Sequence, residues 1–490
     1  MANPGTNSAL RLPPPNAFVV TDLNLVDKNA VNTQQPQVIR DDDFCRVWYK
    51  PDVKFKKPRT FAVATFHSPE VNPTPYNYAL SALFVACLKD ELNEYSYDAL
   101  LAGMNYKLRL NGSNIYLSTG GYSSKLPILV QRILEAWNHI GDEAFERVKH
   151  AKCRSFENMR LEEAHRHAVQ QESNLLHERS WSVDDIVSAI RTCSFCDVIA
   201  HSKRLFRQVF CDILLYGNLN MSAAMDLAGV ISEHLELYLC RRRRSTGLGD
   251  SETFLWSERY LQCVHPNPDN ANCAVNCIYQ IGVENYMDRA KLALFSQIVD
   301  EPLFDQLRTK EQLGYTVYSL LLVGMIVVQS NVAPPEFIEQ RIDTFWSEFR
   351  NMLTSMSYAQ LQKHIQSVVK GYIEKPKSQE EEVQTLLVEI ANHQYEFGRK
   401  MKLGELVRTL QSLMCSSSST TSFVPGVRSE RNCSETGWSI FNCESQAGLM
   451  AAMALDASGV SSPDVKTEYV KNSEDFKRRA SCYEAPVASL

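Results

Sequence analysis

The chain has 490 residues, 44% hydrophobic and 22% charged, with a formal net charge of −6. That is a globular composition with apolar material for two sizeable cores, and its acidic balance gives no electrostatic footing for nucleic acid. No apolar run reaches the roughly 20 residues of a bilayer-spanning helix, so no membrane association is expected. Residues 1–14 lack the basic start and apolar stretch of a secretory leader. The 14 cysteines follow no disulfide framework, which suits a reducing compartment, and a cytoplasmic location is expected. Cys193-Ser-Phe-Cys196 has knuckle spacing without a partner knuckle, and is read as free thiols. Cys273 and Cys277 have the even spacing that puts both on one face of a strand.

In chain order, residues 1–35 contain Leu10-Arg-Leu-Pro-Pro-Pro and read as an extended linker. A first α+β domain is expected over 36–250. Arg59–His67 alternates like a strand, and 76–93 has helical periodicity entered through Pro73 and Pro75. Lys107-Leu-Arg-Leu110 and Ile115-Tyr-Leu-Ser118 flank Asn111-Gly112, the signature of a hairpin whose turn needs left-handed backbone angles. A further amphipathic helix is expected at 127–140, apolar at Val130, Ile133, Leu134 and Trp137, with helical patterns continuing to Ile190. The basic run 241–244 reads as a solvated interdomain loop.

The second α+β domain, 251–414, repeats that order: strand from Cys273, helix over 286–299, strands near 314–323 and 325–329, helix over 335–349. Gly103-Met-Asn-Tyr106 overlays Gly314-Tyr-Thr-Val317 at an offset of about 210 residues, and Trp137 then falls opposite Trp346, so a duplication is inferred. Antiparallel strands with helices packed on one side, used twice, define an α+β class. Residues 415–490 begin with a Ser/Thr-rich run and read as a mostly disordered tail.

The chemistry concentrates in 302–315. The helix over 286–299 is expected to stop at Asp300-Glu301-Pro302. Arg308 carries a permanent charge on a planar donor fork, and Tyr315 follows Gly314, which tolerates a sharp turn and close approach of another group. The two donors can converge on one carbonyl oxygen; a surface arginine beside a half-buried aromatic is the plainer alternative.

The run Arg308-Thr-Lys-Glu-Gln-Leu-Gly-Tyr315 resembles the Arg-x-x-Glu-Gln-Leu-Gly-Tyr signature in the C-terminal half of the insulysin group of the pitrilysin (inverzincin) family of zinc metalloendopeptidases. The likeness extends to Leu88-Lys-Asp-Glu-Leu-Asn-Glu-Tyr95, Leu101-Ala-Gly103, Gln362-Lys-His-Ile-Gln366 and Lys375-Pro-Lys377. The resemblance implies two bowl-shaped halves, each of two related α+β domains, closing on peptide substrates; the proline-rich start corresponds to the connector between them. By that likeness Arg308 and Tyr315 position the scissile carbonyl and its oxyanion, Phe304 lines the subsite, and Lys377 matches a basic position of a polyanion patch whose next lysine is Ser378 here. The segment between Tyr318 and Met325 is shorter than the family's glycine-rich loop.

The zinc motif itself is missing. No His-x-x-Glu-His or His-Glu-x-x-His occurs, and the nearest approach, His67-Ser-Pro-Glu70, has Val71 in the fifth position and a helix-breaking proline. Glu163 with His167, and Glu162 with His165, share helix faces and read as solvated pairs. The expectation is a C-terminal, substrate-binding half with no metal or cofactor of its own, zinc belonging to the family's N-terminal half. It would be inactive alone and active with a zinc-bearing half or full-length relative as partner; the alternative is a non-catalytic peptide-binding or regulatory partner.

Overall fold

The computed structural model describes residues 15–26, 35–236, 252–253, 259–279, 285–320, 324–416, 468–470 and 482–483. The expectations placed on 1–14 and 27–34 of the linker, the basic run 241–244, the segment 321–323 and all of the tail beyond 416 except two short strands lie outside the described residues.

The order opens with β1 (Gln37–Asp41), β2 (Cys45–Pro51), β3 (Arg59–His67), α1 (Pro75–Glu91), α2 (Asn93–Leu101), β4 (Asn105–Asn111), β5 (Asn114–Tyr122) and α3 (Leu126–Ala136). It continues with α4 (Phe145–Met159), α5 (Ala164–Leu176), α6 (Val183–Thr192), α7 (Phe195–Leu205), β6 (Phe210–Gly217), α8 (Met221–Glu236), β7 (Glu252–Thr253), β8 (Arg259–Leu261) and β9 (Cys273–Ile278). Then come α9 (Tyr286–Phe304), a π-helical turn (Asp305–Lys310), β10 (Thr316–Leu320), β11 (Met325–Ser330), α10 (Pro335–Ser355), α11 (Tyr358–Ile373), α12 (Gln379–Ala391), α13 (Arg399–Ser416), β12 (Glu468–Val470) and β13 (Cys482–Tyr483). The class is α+β.

Two compact units interleave along the chain. The first gathers Met1–Lys152, Ala189–Leu248 and Lys377–Asn392; the second gathers Cys153–Ser188, Gly249–Pro376 and His393–Leu490.

In the first unit the strands run β1-β2-β6-β3-β5-β4, antiparallel throughout except for the parallel pair β2 and β6. β2 and β6 are buried on both faces, which is why Cys45 to Tyr49 and Cys211 to Leu215 read as near-continuous rather than alternating sequence. Thr74 caps α1 by accepting from the Asn77 N–H at 3.1 Å, and Pro75, lacking a donor, stands where none is needed. The helical stretch expected over 76–93 turns at Leu92 into the separate α2. Gly112 takes the left-handed conformation (φ +56°) in the β4–β5 turn. α12 belongs to this unit although it is encoded after the strands of the other: Lys50 Nζ meets Glu382 Oε1 at 2.6 Å, both largely buried, and Gln379 Nε2 donates to Asp52 Oδ2 at 2.7 Å. Losing one partner of such a pair costs about 3–5 kcal/mol, so these contacts define where α12 docks.

The second unit has the three-stranded antiparallel sheet β10-β11-β9, the same neighbour order as β4-β5-β3. One face carries the core: Val275, Val317, Ile326 and Val328 pack with Ile298 and Leu303 of α9, Ile338 and Phe345 of α10, Ile365 of α11 and Val407 of α13. Helices on one side were expected; here the opposite face is also covered, by α5, through Ala164 and Ala168 against Ala274 and a hydrogen bond from Asn276 Nδ2 to Glu172 Oε2 at 3.0 Å.

One local expectation is overturned. α9 does not stop before Pro302 but carries the proline inside it as far as Phe304. Proline removes a donor and crowds the preceding turn, and the backbone then widens into the π-helical turn. The buried side chains of Val299, Leu303 and Leu307 hold both windings against the core.

Candidate functional site

The π-helical turn and the start of β10 bring Phe304, Arg308 and Tyr315 together. The Arg308 guanidinium carbon lies 4.7 Å from the Phe304 ring centroid and 4.7 Å from that of Tyr315. Arg308 is half-buried, Phe304 is 39% exposed and Tyr315 86% exposed. Below them Leu307 and Leu313 are buried, so the turn is pinned by its apolar residues while its donors face outward. The Leu313 N–H donates to the Leu307 carbonyl and the Glu311 N–H to that of Gln306, each at 3.0 Å, closing the π-helical turn.

Backbone geometry explains Gly314 by close approach alone. A Cβ there would stand 1.8 Å from the Gln329 carbonyl oxygen, so only glycine lets this segment lie against β11. The left-handed residue of this segment is Gln312, at φ +54°, two positions before the glycine.

The carboxylates near Arg308 are all engaged elsewhere. Asp305 pairs with Lys310 at 2.9 Å. Glu311 accepts from Arg341 Nε at 2.7 Å and Nη2 at 2.6 Å, and from Gln306 Nε2 at 2.6 Å. The Arg341 hydrogen bonds hold the Glu311 carboxyl below its usual range despite opposing desolvation. The two rings hold the guanidinium by cation–π attraction, which uses none of its N–H hydrogen-bonding capacity and leaves those donors for an acceptor. With the exposed Tyr315 hydroxyl this makes a two-donor arrangement suited to a carbonyl oxygen or oxyanion. Arg341 and Gln306 escaped the sequence reading; the available signal was an arginine adjoining the buried stripe Ile338, Ile342 and Phe345.

Lys377 does not join this group. It belongs to the first unit, is exposed, and donates its backbone N–H to Glu381 Oε2 at 2.7 Å, just before an α12 first turn holding Glu380, Glu381 and Glu382.

Zinc does not fit the described residues. His67 is buried in β3 with Nε2 3.1 Å from Asp212 Oδ2. Glu163 and His165 both bind the Gln329 side chain, Glu162 meets Arg166 at 3.6 Å, and His167 packs on His265. Among the described residues no three His, Cys, Asp or Glu side chains converge as a metal site. Cys193 is buried and Cys196 exposed, while burial raises Cys277 well above the ordinary thiol value. No helix of the described residues is long and apolar enough to cross a membrane.

Comparison with known proteins places the fold and the family. Residues 1–189 match the model of the middle or third domain of M16 peptidases, and residues 294–387 that of the C-terminal lobe domain 4 of the PqqF-like PQQ synthase group. The chain is 31% identical over 413 residues to insulin-degrading enzyme of Bos taurus, covering 81% of this chain and 40% of that one. It spans well under half the length of the curated relatives it matches. The crystal structure of pitrilysin superposes with a TM-score of 0.77 at 19% identity, over 97% of this chain and 49% of the other. A peptidase M16 inactive domain from Pseudomonas fluorescens superposes at 0.56 with 14% identity, over 77% and 92%.

Proposed function

Because the chain belongs to the pitrilysin and insulysin family of peptidases, we propose that it is the substrate-binding, C-terminal half of an insulysin-like zinc metalloendopeptidase. Zinc and the activated water come from a separate zinc-bearing half, and this chain hydrolyses nothing alone. Arg308 and Tyr315 donate to the scissile carbonyl oxygen of a peptide and to the oxyanion that develops from it. Phe304 lines the adjoining subsite and, with Tyr315, stacks on the guanidinium so that the donor edge is preset. The observation that carries this reading is the Arg308 guanidinium 4.7 Å from the rings of both Phe304 and Tyr315, while Asp305 and Glu311 are paired elsewhere.

The test mixes the purified chain with the isolated zinc-bearing half of an insulysin relative and follows cleavage of a quenched fluorogenic peptide. Cleavage is expected only in the mixture and falls in Arg308→Ala and Tyr315→Phe. Peptide binding without cleavage in any mixture supports a non-catalytic, regulatory partner instead. Cleavage by the chain alone, with stoichiometric metal, overturns both readings.

A further inference from the structure

We propose that Arg341 and Lys310 are positioning residues for Arg308, each holding a carboxylate that would otherwise capture its guanidinium, and that the π-winding of Asp305–Lys310 sets this sorting. The proposal rests on Arg308 serving as a donor to substrate.

Asp305 stands three residues before Arg308 and Glu311 three residues after it. In an α-helix residues three apart are surface neighbours, with Cβ atoms about 5–6 Å apart, so an α-wound segment would offer both carboxylates to Arg308. The π-helical turn aligns residues five apart instead. Asp305 meets Lys310, and Gln306 meets Glu311 both through side chains at 2.6 Å and through the backbone at 3.0 Å. Glu311 is thereby turned toward α10, where Arg341 takes both oxygens in a two-pronged contact. The Arg341 and Glu311 side chains are 25% and 15% exposed, whereas Lys310 and Asp305 are 63% and 46% exposed. Of the two clamps the Arg341 one is better shielded and carries more weight.

Among the described residues, no carboxylate lies within ion-pairing distance of Arg308. An arginine already bound to a carboxylate presents its donors to a fixed partner and loses them for a transient oxyanion. The sequence therefore places two acids beside an essential cation and the winding removes them from it, a use consistent with the frequency of π-turns at functional sites.

The experiment uses the full chain with the zinc-bearing half, and compares Arg341→Met, Arg341→Met/Glu311→Gln and Lys310→Met. Arg341→Met is expected to lower kcat/KM about thirtyfold, mostly in kcat. The double variant recovers to within about threefold of the parent, because no carboxylate is released, and Lys310→Met loses about threefold or less. A purely structural role for Arg341 predicts a double variant no better than the single one, and that result overturns the proposal. A second readout needs no catalysis: in crystals of Arg341→Met the Glu311 carboxylate is expected against the Arg308 guanidinium. Its remaining away from Arg308 overturns the proposal even if the mixture never cleaves peptide. Absence of cleavage by the parent mixture counts against the function proposed above and leaves the crystallographic test standing.

Discussion

The second unit repeats a series of elements found in the first, and the two copies part company at one short segment. α1 and α9 begin at Pro75 and Tyr286, β4 and β10 at Asn105 and Thr316, and β5 and β11 at Asn114 and Met325, each pair about 210 residues apart. Both copies anchor a tryptophan on phenylalanine: Trp137 stacks on Phe206 at 5.0 Å, and Trp346 on Phe295 at 6.0 Å. At the positions of Phe304, Arg308 and Tyr315 the first copy has Asn93, Tyr97 and Met104. Its α1 breaks at Leu92 into the α-helical α2, Tyr97 is exposed and Met104 fully buried. The same frame carries a guanidinium and an exposed phenol in one copy and, in the other, no cation at these positions and a buried methionine, so the proposed donors come from side chains and local winding, not from the fold.

The glycines that precede each second strand give the sharpest contrast. Gly314→Ala forces a methyl into the Gln329 carbonyl, with an expected loss of about 4 kcal/mol or more. Gly103→Ala meets only the Tyr122 ring at 3.4 Å and suffers chiefly from its left-handed backbone (φ +76°), about 1–2 kcal/mol. Urea unfolding of the two variants checks the order; equal losses would remove the claim that close approach, rather than turn geometry, selects Gly314.

Next comes the chemistry. In the reconstituted mixture Arg308→Ala is expected to lower kcat about a hundredfold, near 3 kcal/mol of barrier, and Tyr97→Ala to leave cleavage within about twofold. A comparable loss in Tyr97→Ala would mean both copies contribute.

Acid lability then separates the units by pH window. Buried His201, whose Nε2 lies 2.8 Å from the Ser81 hydroxyl, is pushed down to about 4 by burial and by Arg204. The unfolded chain protonates first, near 6.5, so the stability from keeping His201 neutral is full above that value and drains as pH falls to about 4, up to roughly 3 kcal/mol. Substituting His201→Gln should flatten that leg in thermal midpoints against pH. Glu311 gives the smallest and most acidic leg. Its folded value is lowered by the Arg341 hydrogen bonds, so its contribution is present above its unfolded value of about 4.3 and lost as pH drops through the folded one. Glu311→Gln should remove the drop below pH about 4.3 while leaving the His201 leg in place.

Much of the repeated frame was legible because periodicity and turn chemistry are local. Arg59–His67 reads as a strand and is β3 over that same span, and Asn111-Gly112 marks the β4–β5 hairpin through the left-handed backbone at Gly112. Phe304, Arg308 and Tyr315 were readable as types, and their stacking needed coordinates. Pro302 misled because core burial on both sides of it outweighs the missing donor. Arg341 went unseen because its partner lies 30 residues away on another element. The docking of α12 was unreadable for the same reason: Lys50 and Glu382 are 332 residues apart.

That last contact has a consequence for biosynthesis. A ribosome emits Lys50 and Asp52 long before Glu382 and Gln379, and in between it emits all of β9, β10 and β11. The first unit therefore leaves the exit tunnel without the helix that carries Gln379 and Glu382, and it completes only after the second unit's three-stranded sheet has been synthesised. A transcript ending near codon 376 would encode all the strands of both larger sheets and still deliver an unfinished amino-terminal unit.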